Sequence, residues 1–197
     1  MRRKSVVRGE GATRREILTA AIERFALASY DDVGLRDIAT DVDVDVAYVH
    51  RSFGSKEQLF REVLDTQRVD IGLSAIGEKA LAGRLAEILF ERAHARTSHE
   101  HDPLTILVRS LASPTAGRLV GERLQDEYIE PIQQKIGERT PLRASMTMSL
   151  LIGFSILRHH LQLPAVTEID PAQAEALIAS AIDEIMKFGK VENPDQA

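Results

Sequence analysis

Residues 35–54 constrain the fold more than any other part of the chain, because they hold two short helical patterns on either side of a tight turn. The first pattern runs from Leu35 to Val42, and the second ends at about Phe53. Small or apolar residues recur where two such helices must touch, namely Ile38, Ala39, Val42, Val44 and Val49. The spacing predicts a helix-turn-helix whose second helix projects outward, a geometry that suits the major groove of DNA.

Turn and cap residues mark the ends of these helices. Gly34 is a tolerable N-cap for the first helix, and Asp45 can cap the second. Asp43 occupies the turn position that usually requires a positive φ, which Asp adopts more readily than most residues. Ser55 and Gln58 have the spacing of a capping box, so a further helix is expected to start there.

The rest of the chain also carries helical patterns, which predicts an all-α protein without alternating strands. Thr13 and Glu16 have capping-box spacing, so the first helix is expected to begin at Thr13 and to stop near Ser29. Pro131 lies inside a later helix and should kink it. The later helices are expected at Leu81–Ala95, Leu104–Leu111, Ser113–Gly137, Thr140–Leu163 and Asp170–Gly189, the last three opening with a cap residue and a proline.

Charge divides the chain into a basic beginning and an acidic remainder. Residues 1–24 hold seven basic and three acidic side chains, residues 1–60 are balanced, and the whole chain has a formal net charge of −5. This asymmetry suits DNA binding at one end only. We expect a flexible basic arm at 1–11, a helix-turn-helix domain at 12–54, a helical regulatory and dimerisation domain at 55–189 whose first helix is a connector, and a tail at 190–197.

Several functional classes have no support in the sequence. The chain has no cysteine, which excludes disulfides and thiol catalysis, and no apolar run at its start has signal-peptide length. The longest apolar segment, Met146–Leu157, is too short to cross a bilayer, so we expect a cytoplasmic protein. The absence of a glycine-rich phosphate loop, a G-x-S-x-G elbow and an H-E-x-x-H motif predicts that the chain is not an enzyme and needs no cofactor.

The N-terminal region resembles the DNA-binding domain of TetR-like (tetracycline-repressor-type) regulators. The resemblance lies in Ile17-Leu18 with Ala20-Ala21 and Phe25, in Tyr30, in Leu35-Arg36-Asp37-Ile38-Ala39, in Val44, and in Phe53-Gly54-Ser55-Lys56-Glu57 followed by Leu59. It implies a three-helix DNA-binding domain followed by a C-terminal helical domain that binds a ligand and dimerises. In this family the last two helices form the dimer.

The segment that would read DNA departs from the family pattern. Gly34 stands where the family usually has Ser or Thr, and His50 stands where it usually has Tyr. The usual Gly-Val-Ser of the turn is Asp43-Val44-Asp45. Asp41 and Asp43 would meet phosphates unfavourably if they faced DNA, whereas Asp45 is expected to turn inward as an N-cap.

Chemistry and position together predict a set of DNA contacts. The cations and the imidazole are expected on phosphates or a guanine edge, the small apolar residues on thymine methyl groups, and the tyrosine on a base or sugar. Mere surface exposure remains the alternative for each residue. The predicted contacts are Arg36, Val46, Ala47, Tyr48, His50, Arg51 and Lys56, with Arg2, Arg3 and Lys4 forming either an arm on the DNA or a solvated tail.

Two further sites are expected in the C-terminal half by the family resemblance. A ligand pocket is expected at Phe90, His94, Leu107, Met146, Leu150 and Phe154, although an apolar stripe of this kind is more often simply core. A dimer interface is expected at Ser149, Gly153, Ser155, Ile178, Ile182 and Ile185, where small residues allow close approach and isoleucines complete a four-helix bundle.

The histidines do not predict a metal site. His94, His99 and His101 with Asp102 are chemically suitable ligands, but a solvated polar loop explains them better. The adjacent pair His159-His160 must point to different faces of a helix, so one of them can line a pocket or interface or simply meet solvent.

These observations predict a transcriptional regulator that binds a palindromic operator as a homodimer and is released by a small, largely apolar ligand. A two-fold dimer would place its recognition helices about 34 Å apart, and a ligand would change that separation by favouring one arrangement. Two alternatives remain. The protein can be a DNA-binding protein that is constitutive or controlled by a partner, or a helical ligand-binding protein that has lost its DNA affinity.

Overall fold

All regular secondary structure in the described part of the chain is helical, which confirms the all-α prediction. The structure is a computed structural model that describes residues 10–94 and 103–189. Arg2, Arg3, Lys4, His99, His101, Asp102 and the predicted tail at 190–197 lie outside these ranges. The helices are α1 (Glu10–Leu27), α2 (Leu35–Asp41), α3 (Val46–Phe53), α4 (Lys56–Thr66), α5 (Glu78–His94), α6 (Pro103–Ser110), α7 (Pro114–Leu124), α8 (Glu130–Lys135), α9 (Leu142–Ser155), α10 (Pro164–Thr167) and α11 (Pro171–Lys187).

The chain forms two compact units that do not follow simple chain order. The first unit contains α1–α4, α6 and α7 as far as Gly121, and the second contains α5, the end of α7 and α8–α11. The helix-turn-helix therefore shares its unit with α4 and with residues 103–121, which come much later in the sequence.

The core of the first unit is built on α1. Its fully buried side chains include Ile17 and Phe25 from α1, Ile38 from α2, Val49 from α3 and Phe60 from α4. Because α1 packs against α2, α3 and α4, the short helices α2 and α3 are held by packing that they could not supply alone.

The start of α1 differs from the prediction. In the described residues the helix begins at Glu10, so Thr13 lies within the helix and is buried. The predicted capping box of Thr13 and Glu16 is therefore wrong, because an N-cap needs the chain to enter the helix at that residue.

The core of the second unit lies where α11 packs against α5 and α9. Leu81 and Leu85 of α5, Leu151 of α9, and Ile178 and Ile182 of α11 are buried in it. The prediction that Ile178 and Ile182 face a second protomer is therefore wrong, since the protomer's own core removes both side chains from the surface. The sequence pattern identifies an apolar face but not which helix covers it.

A widened π-helical turn, Gln125–Ile129, separates α7 from α8 and lies directly before Pro131. Proline lacks an N–H and its ring clashes with the carbonyl four residues earlier, so the α-helical ladder cannot continue through it. The helical stretch predicted for Ser113–Gly137 therefore consists of α7, the π-helical turn and α8, and the irregularity expected at Pro131 takes the form of that turn.

The start of α9 is capped differently from the prediction. Thr140 makes no side-chain cap, and Glu138 instead accepts hydrogen bonds from the backbone N–H groups of Arg143 (3.0 Å) and Ala144 (3.4 Å). At its other end, α9 passes into a second π-helical turn, Ile156–His160, and thus stops short of Leu163. The α-helix is accordingly shorter than the sequence pattern suggested.

Two kinds of feature are absent from the described residues. No helix within residues 10–94 or 103–189 has the length and apolarity required to cross a membrane. In the same ranges, no group of three or more His, Cys, Asp or Glu side chains is arranged to hold a metal ion.

Candidate nucleic-acid interface

The turn between α2 and α3 has the geometry predicted from Asp43. Asp43 has a φ of 56°, and the N–H of Val44 donates to the carbonyl of Ala39 at 3.0 Å, which closes the end of α2. A left-handed residue reverses the chain within a few residues, so α3 can start immediately at a new angle. The helix-turn-helix predicted from the sequence is present.

The N-terminus of α3 is capped by Asp45. The carboxylate Oδ1 of Asp45 accepts a hydrogen bond from the N–H of Ala47 at 2.7 Å, so its charge is directed at its own helix. Val49 and Phe53 bury one face of α3, whereas Ala47 is exposed on the other. This arrangement orients α3 with a solvent-facing side available for a ligand as large as DNA.

Three of the four aspartates around the turn are engaged within the protein. Asp37 accepts from the N–H of Gly34 at 2.9 Å, and Asp45 caps α3. Asp41 receives two hydrogen bonds from Arg24, both 2.6 Å long, and these bonds lower the pKa of the Asp41 carboxyl below its ordinary value. In the described part of the chain, only Asp43 of the four leaves its carboxylate exposed without such a partner.

His50 and Arg51 were predicted to contact phosphates, and both lie exposed on α3. The Nδ1 of His50 is 2.9 Å from the carbonyl oxygen of Gly54, to which it donates when it carries the ring proton. The guanidinium of Arg51 lies 5.7 Å from the ring centre of Tyr48, a residue that is partly buried. His50 therefore closes the C-terminal end of α3, while Arg51 and Tyr48 form a pair on its exposed side.

Lys56 was predicted to bind phosphate at the first position of α4. Its ammonium lies 4.2 Å from the ring centre of Tyr30, and burial lowers its pKa while the carboxylates of Asp31 and Asp32 oppose that shift. The ammonium is thus docked on an aromatic face rather than extended into solvent. The sequence analysis named Tyr30 only as a residue that matches the family. Its contact with Lys56 could not be predicted, because no local sequence pattern connects the two residues.

Tyr30 is itself fixed by two aromatic neighbours. Its ring stacks on Phe25 at 5.7 Å and meets the edge of Phe60 at 5.0 Å. Burial raises the pKa of the Tyr30 hydroxyl. The platform under Lys56 is therefore a rigid part of the core.

Arg14 was missed as a residue that positions the interface. Its guanidinium donates to both carboxylate oxygens of Glu62 at 2.6 Å and lies 4.3 Å from the ring centre of Phe53. This contact joins α1 and α4 across the end of α3. The partners are far apart in sequence, so spacing could not have indicated them.

The exposed surface of this motif therefore carries Arg36, Ala47, His50 and Arg51, with Val46 and Tyr48 partly exposed beside them. Positive and apolar groups stand together on α2 and α3, and three of the four aspartates beside them are held by hydrogen bonds within the protein, of which Asp41 is paired with Arg24. Such a surface can meet phosphates with its cations and base edges with its small side chains.

The predicted ligand pocket is only partly assembled in the second unit. Phe90 and Phe154 meet with ring centres 5.9 Å apart, and Leu150 is half-buried. Met146 is 51% exposed, so its side chain does not line an enclosed site, which corrects that prediction. Leu107 belongs to the first unit, and the side chain of His94 lies outside what the structure describes.

The sequence analysis missed two polar residues that lie on the same helical stretch as Phe154, namely Arg158 and Thr147. The guanidinium of Arg158 lies 5.2 Å from the ring centre of Phe90 and donates to the carbonyl of Val166 at 2.5 Å. Within the described residues, no carboxylate forms an ion pair with Arg158, and the buried hydroxyl of Thr147 has no hydrogen-bond partner. Thr147, Phe154 and Arg158 share one helical face by their spacing.

The residues predicted at the dimer interface divide into two groups. Ser149 is exposed and Gly153, Ser155 and Ile185 are half-buried, whereas Ile178 and Ile182 are core residues. Large apolar side chains are also exposed on α9, on α11 and directly after α11, namely Leu142, Met146, Leu177 and Phe188.

The motif and its exposed α3 define a DNA-binding protein of the helix-turn-helix class. The family profile of bacterial regulatory proteins of the tetR family matches residues 17–63, and that of the tetracyclin repressor-like C-terminal domain matches residues 79–186. The chain therefore belongs to the TetR family, and it is a DNA-binding transcriptional regulator rather than an enzyme.

Solved structures with the same fold are only distantly related in sequence. A TetR-family regulator from Streptomyces coelicolor A3 is 23% identical with a TM-score of 0.61, over 93% of this chain and 99% of that chain. A second TetR-family regulator from Streptomyces coelicolor is 18% identical with a TM-score of 0.57, over 90% of this chain and 82% of that chain. The multidrug binding protein EbrR, complexed with proflavin, is 16% identical with a TM-score of 0.56, over 86% of this chain and 99% of that chain. No curated protein matches the sequence significantly.

Proposed function

We propose that this regulator is a repressor that binds a palindromic operator as a homodimer and is released by a small aromatic ligand. The observation that carries the DNA-binding part is the exposed side of α3, where Ala47 and Arg51 project while Asp45 turns inward. The dimer is supported by family membership and by the apolar residues exposed on α9 and α11, such as Leu177.

A mobility-shift experiment tests the operator. The purified protein is titrated onto DNA from upstream of its own coding sequence and onto a scrambled fragment of equal length, at moderate salt. We expect a preference for a palindromic site and a site size set by half-sites one helical turn apart. Equal affinity for the two fragments would remove the proposal of sequence-specific binding.

Two variants separate base reading from phosphate binding. Tyr48→Ala should relax the preference at particular bases, whereas Arg51→Gln should weaken binding on all sequences and reduce the salt slope by about one. Lys56→Ala should also weaken binding on all sequences, because it removes both a cation and the contact with Tyr30. An Arg51→Gln protein with an unchanged salt slope would contradict the phosphate role of that residue.

The ligand is proposed to combine a flat aromatic part with a negative charge. Phe90 and Phe154 offer aromatic faces, and Arg158 supplies a cation beside Phe90 without a carboxylate partner in the described chain. The unpartnered hydroxyl of Thr147 adds a buried polar group on the same helical face. This composition refines the largely apolar ligand expected from the sequence.

Thermal shift with 2-naphthoate, 2-naphthamide and proflavin tests this ligand class, because a bound ligand raises the melting temperature. EbrR was solved with proflavin, a flat aromatic cation that serves as the charge-reversed comparison. We expect the carboxylate to stabilise the protein most and Arg158→Gln to abolish that advantage. A larger shift with proflavin, or an unchanged shift in the Arg158→Gln variant, would overturn the assignment.

The same experiment tests the alternative in which the protein binds DNA but no small ligand. If all three compounds and a wider aromatic set leave both the melting temperature and operator binding unchanged, the protein is a constitutive or partner-controlled DNA-binding protein. The cation of Arg158, which lies beside Phe90 and has no carboxylate partner among the described residues, supports the ligand-controlled function.

A further inference from the structure

Residues 103–121 belong to the same compact unit as the DNA-binding helices, although the sequence separates them widely. α6 packs against α1, and the elbow between α6 and α7 lies beside the short turn Tyr30–Asp32. The DNA-reading unit is therefore completed by a segment from the middle of the chain.

Ser113 makes the central contact of this elbow. It is fully buried, and its hydroxyl donates to Oδ1 of Asp31 at 2.9 Å. The Oγ of Ser113 also accepts a hydrogen bond from the N–H of Ala116 at 3.4 Å, so the hydroxyl is held by two partners. A buried hydroxyl aimed at a carboxylate is a directional link that apolar packing cannot replace.

Asp31 lies in the turn that holds the start of α4. The preceding residue, Tyr30, packs in the core and carries the ammonium of Lys56 on its ring at 4.2 Å. One helical turn beyond Ser113, Arg118 forms an ion pair with Glu57 at 3.1 Å. Ser113, directly before α7, thus contacts the turn before α2, and α7 itself contacts the first turn of α4.

The start of α4 is joined directly to the end of α3. Ser55 caps α4, and the preceding Gly54 has a φ of 77° and offers its carbonyl to His50 at 2.9 Å. A displacement at Lys56 or Glu57 must therefore be taken up by Gly54 and the last turn of α3. Because recognition needs base contacts placed to within a fraction of an ångström, such a displacement affects sequence reading.

We propose that Ser113 is a positioning residue for DNA reading, which acts through Asp31 and the start of α4 to set the orientation of α3. It touches no DNA in this role. The inference rests on the proposed operator binding.

The test measures operator affinity, salt slope and melting temperature for Ser113→Ala, with the exposed neighbour Leu111→Ala as control. We expect Ser113→Ala to bind the operator about tenfold more weakly, with a smaller preference over scrambled DNA and an unchanged salt slope because no phosphate contact is lost. Leu111→Ala should bind like the wild type. Assays run well below the melting temperature of each variant, so a loss of stability alone leaves the affinity unchanged.

A second pair of variants isolates the hydrogen bond at its other end. Asp31→Asn and Asp31→Ala both remove the charge, but only Asn keeps an acceptor for Ser113, so Asp31→Ala should lose more affinity and specificity. Combining Asp31→Ala with Ser113→Ala should add little further loss, since both changes remove one contact.

The outcomes distinguish this inference from the proposed function. If the wild type prefers the operator but Ser113→Ala binds it equally well, the positioning role is wrong and the operator proposal stands. Equal operator binding by Asp31→Asn and Asp31→Ala also contradicts the positioning role of Ser113. This second test remains valid if Ser113→Ala does not fold. If the wild type shows no operator preference, both proposals fall together.

Discussion

The two units of this protein are specified in different ways. In the first unit, the short helices α2, α3 and α4 start at caps supplied by neighbouring residues, such as Asp45 and Ser55, and they turn at the left-handed Asp43. In the second unit, longer helical stretches contain π-helical turns at 125–129 and 156–160. The start of α9 is capped by Glu138, which precedes the predicted cap residue Thr140 in the chain. Caps from residues at most three positions away start the short helices of the first unit, whereas the second unit combines one such cap, at Asp170, with π-helical turns and a cap from Glu138.

This difference has a functional reason. A recognition helix must be presented at one angle, so the residues that start and stop it are engaged in specific hydrogen bonds. A unit proposed to respond to a ligand needs helices that can pack in a second arrangement, and π-helical turns often occur at functional sites. The comparison predicts where a substitution will harm stability and where it will instead change binding.

The largest effect is expected for Ile182→Ala in the second unit. Ile182 is 0% exposed in the core between α11 and α5, so truncation should leave a cavity and lower the free energy of unfolding by about 2–5 kcal/mol. Leu177→Ala on the same helix is 65% exposed and should change the unfolding free energy of the protomer by less than about 0.5 kcal/mol.

Chemical denaturation and analytical ultracentrifugation distinguish these two variants. Leu177→Ala should weaken the dimer while the protomer stays folded. If Ile182→Ala instead stays as stable as the wild type but dissociates into monomers, Ile182 lies at the dimer interface, as the sequence predicted.

The next effect concerns the cap of α9. The Glu138 side chain is almost entirely buried, accepts from two backbone N–H groups, and pairs with Arg143 at 3.2 Å. Glu138→Ala should lower the free energy of unfolding by about 1–3 kcal/mol. Thr140→Ala should have an effect below about 0.5 kcal/mol, and a larger loss at Thr140 in urea denaturation would show that local capping governs this unit as well.

A smaller effect is expected at the turn of the reading unit. Asp43→Val should lower the free energy of unfolding by about 1–2 kcal/mol, because a β-branched residue resists a φ of 56°. Asp43→Asn tolerates that conformation and removes the exposed charge, so it should leave stability nearly unchanged and strengthen operator binding by about twofold to fivefold. Unchanged affinity of Asp43→Asn in a fluorescence-anisotropy titration would place Asp43 away from the phosphates.

The smallest effect is the pH dependence carried by Asp41. Hydrogen bonds from Arg24 lower the pKa of Asp41 in the folded state, so the unfolded chain binds more protons between the two pKa values. The stabilisation is complete above the unfolded pKa and is lost as the pH falls below about 4 through the folded pKa. Asp41→Asn should therefore flatten the acid side of the stability curve, and an identical curve would mean that the pair does not contribute.

The sequence by itself determined the features whose partners are near in the chain. Asp43 at the turn, Asp45 and Ser55 as caps, and Asp170 accepting from the N–H of Gln173 at 2.9 Å all follow from residues at most three positions apart. Their hydrogen bonds close rings of fixed size, so residue type and spacing predict them wherever the helix starts at the cap residue. Thr13 and Glu16 have the same spacing but lie inside α1, which starts earlier.

Only the tertiary structure decided the contacts between distant residues. Arg24 and Asp41 are 17 positions apart and Ser113 and Asp31 are 82 apart, so no local pattern connects them. The sequence likewise marked Ile178 and Ile182 as an apolar face but could not say whether α5 or a second protomer covers it, because hydrophobic burial is non-directional. Packing within the second unit made that choice.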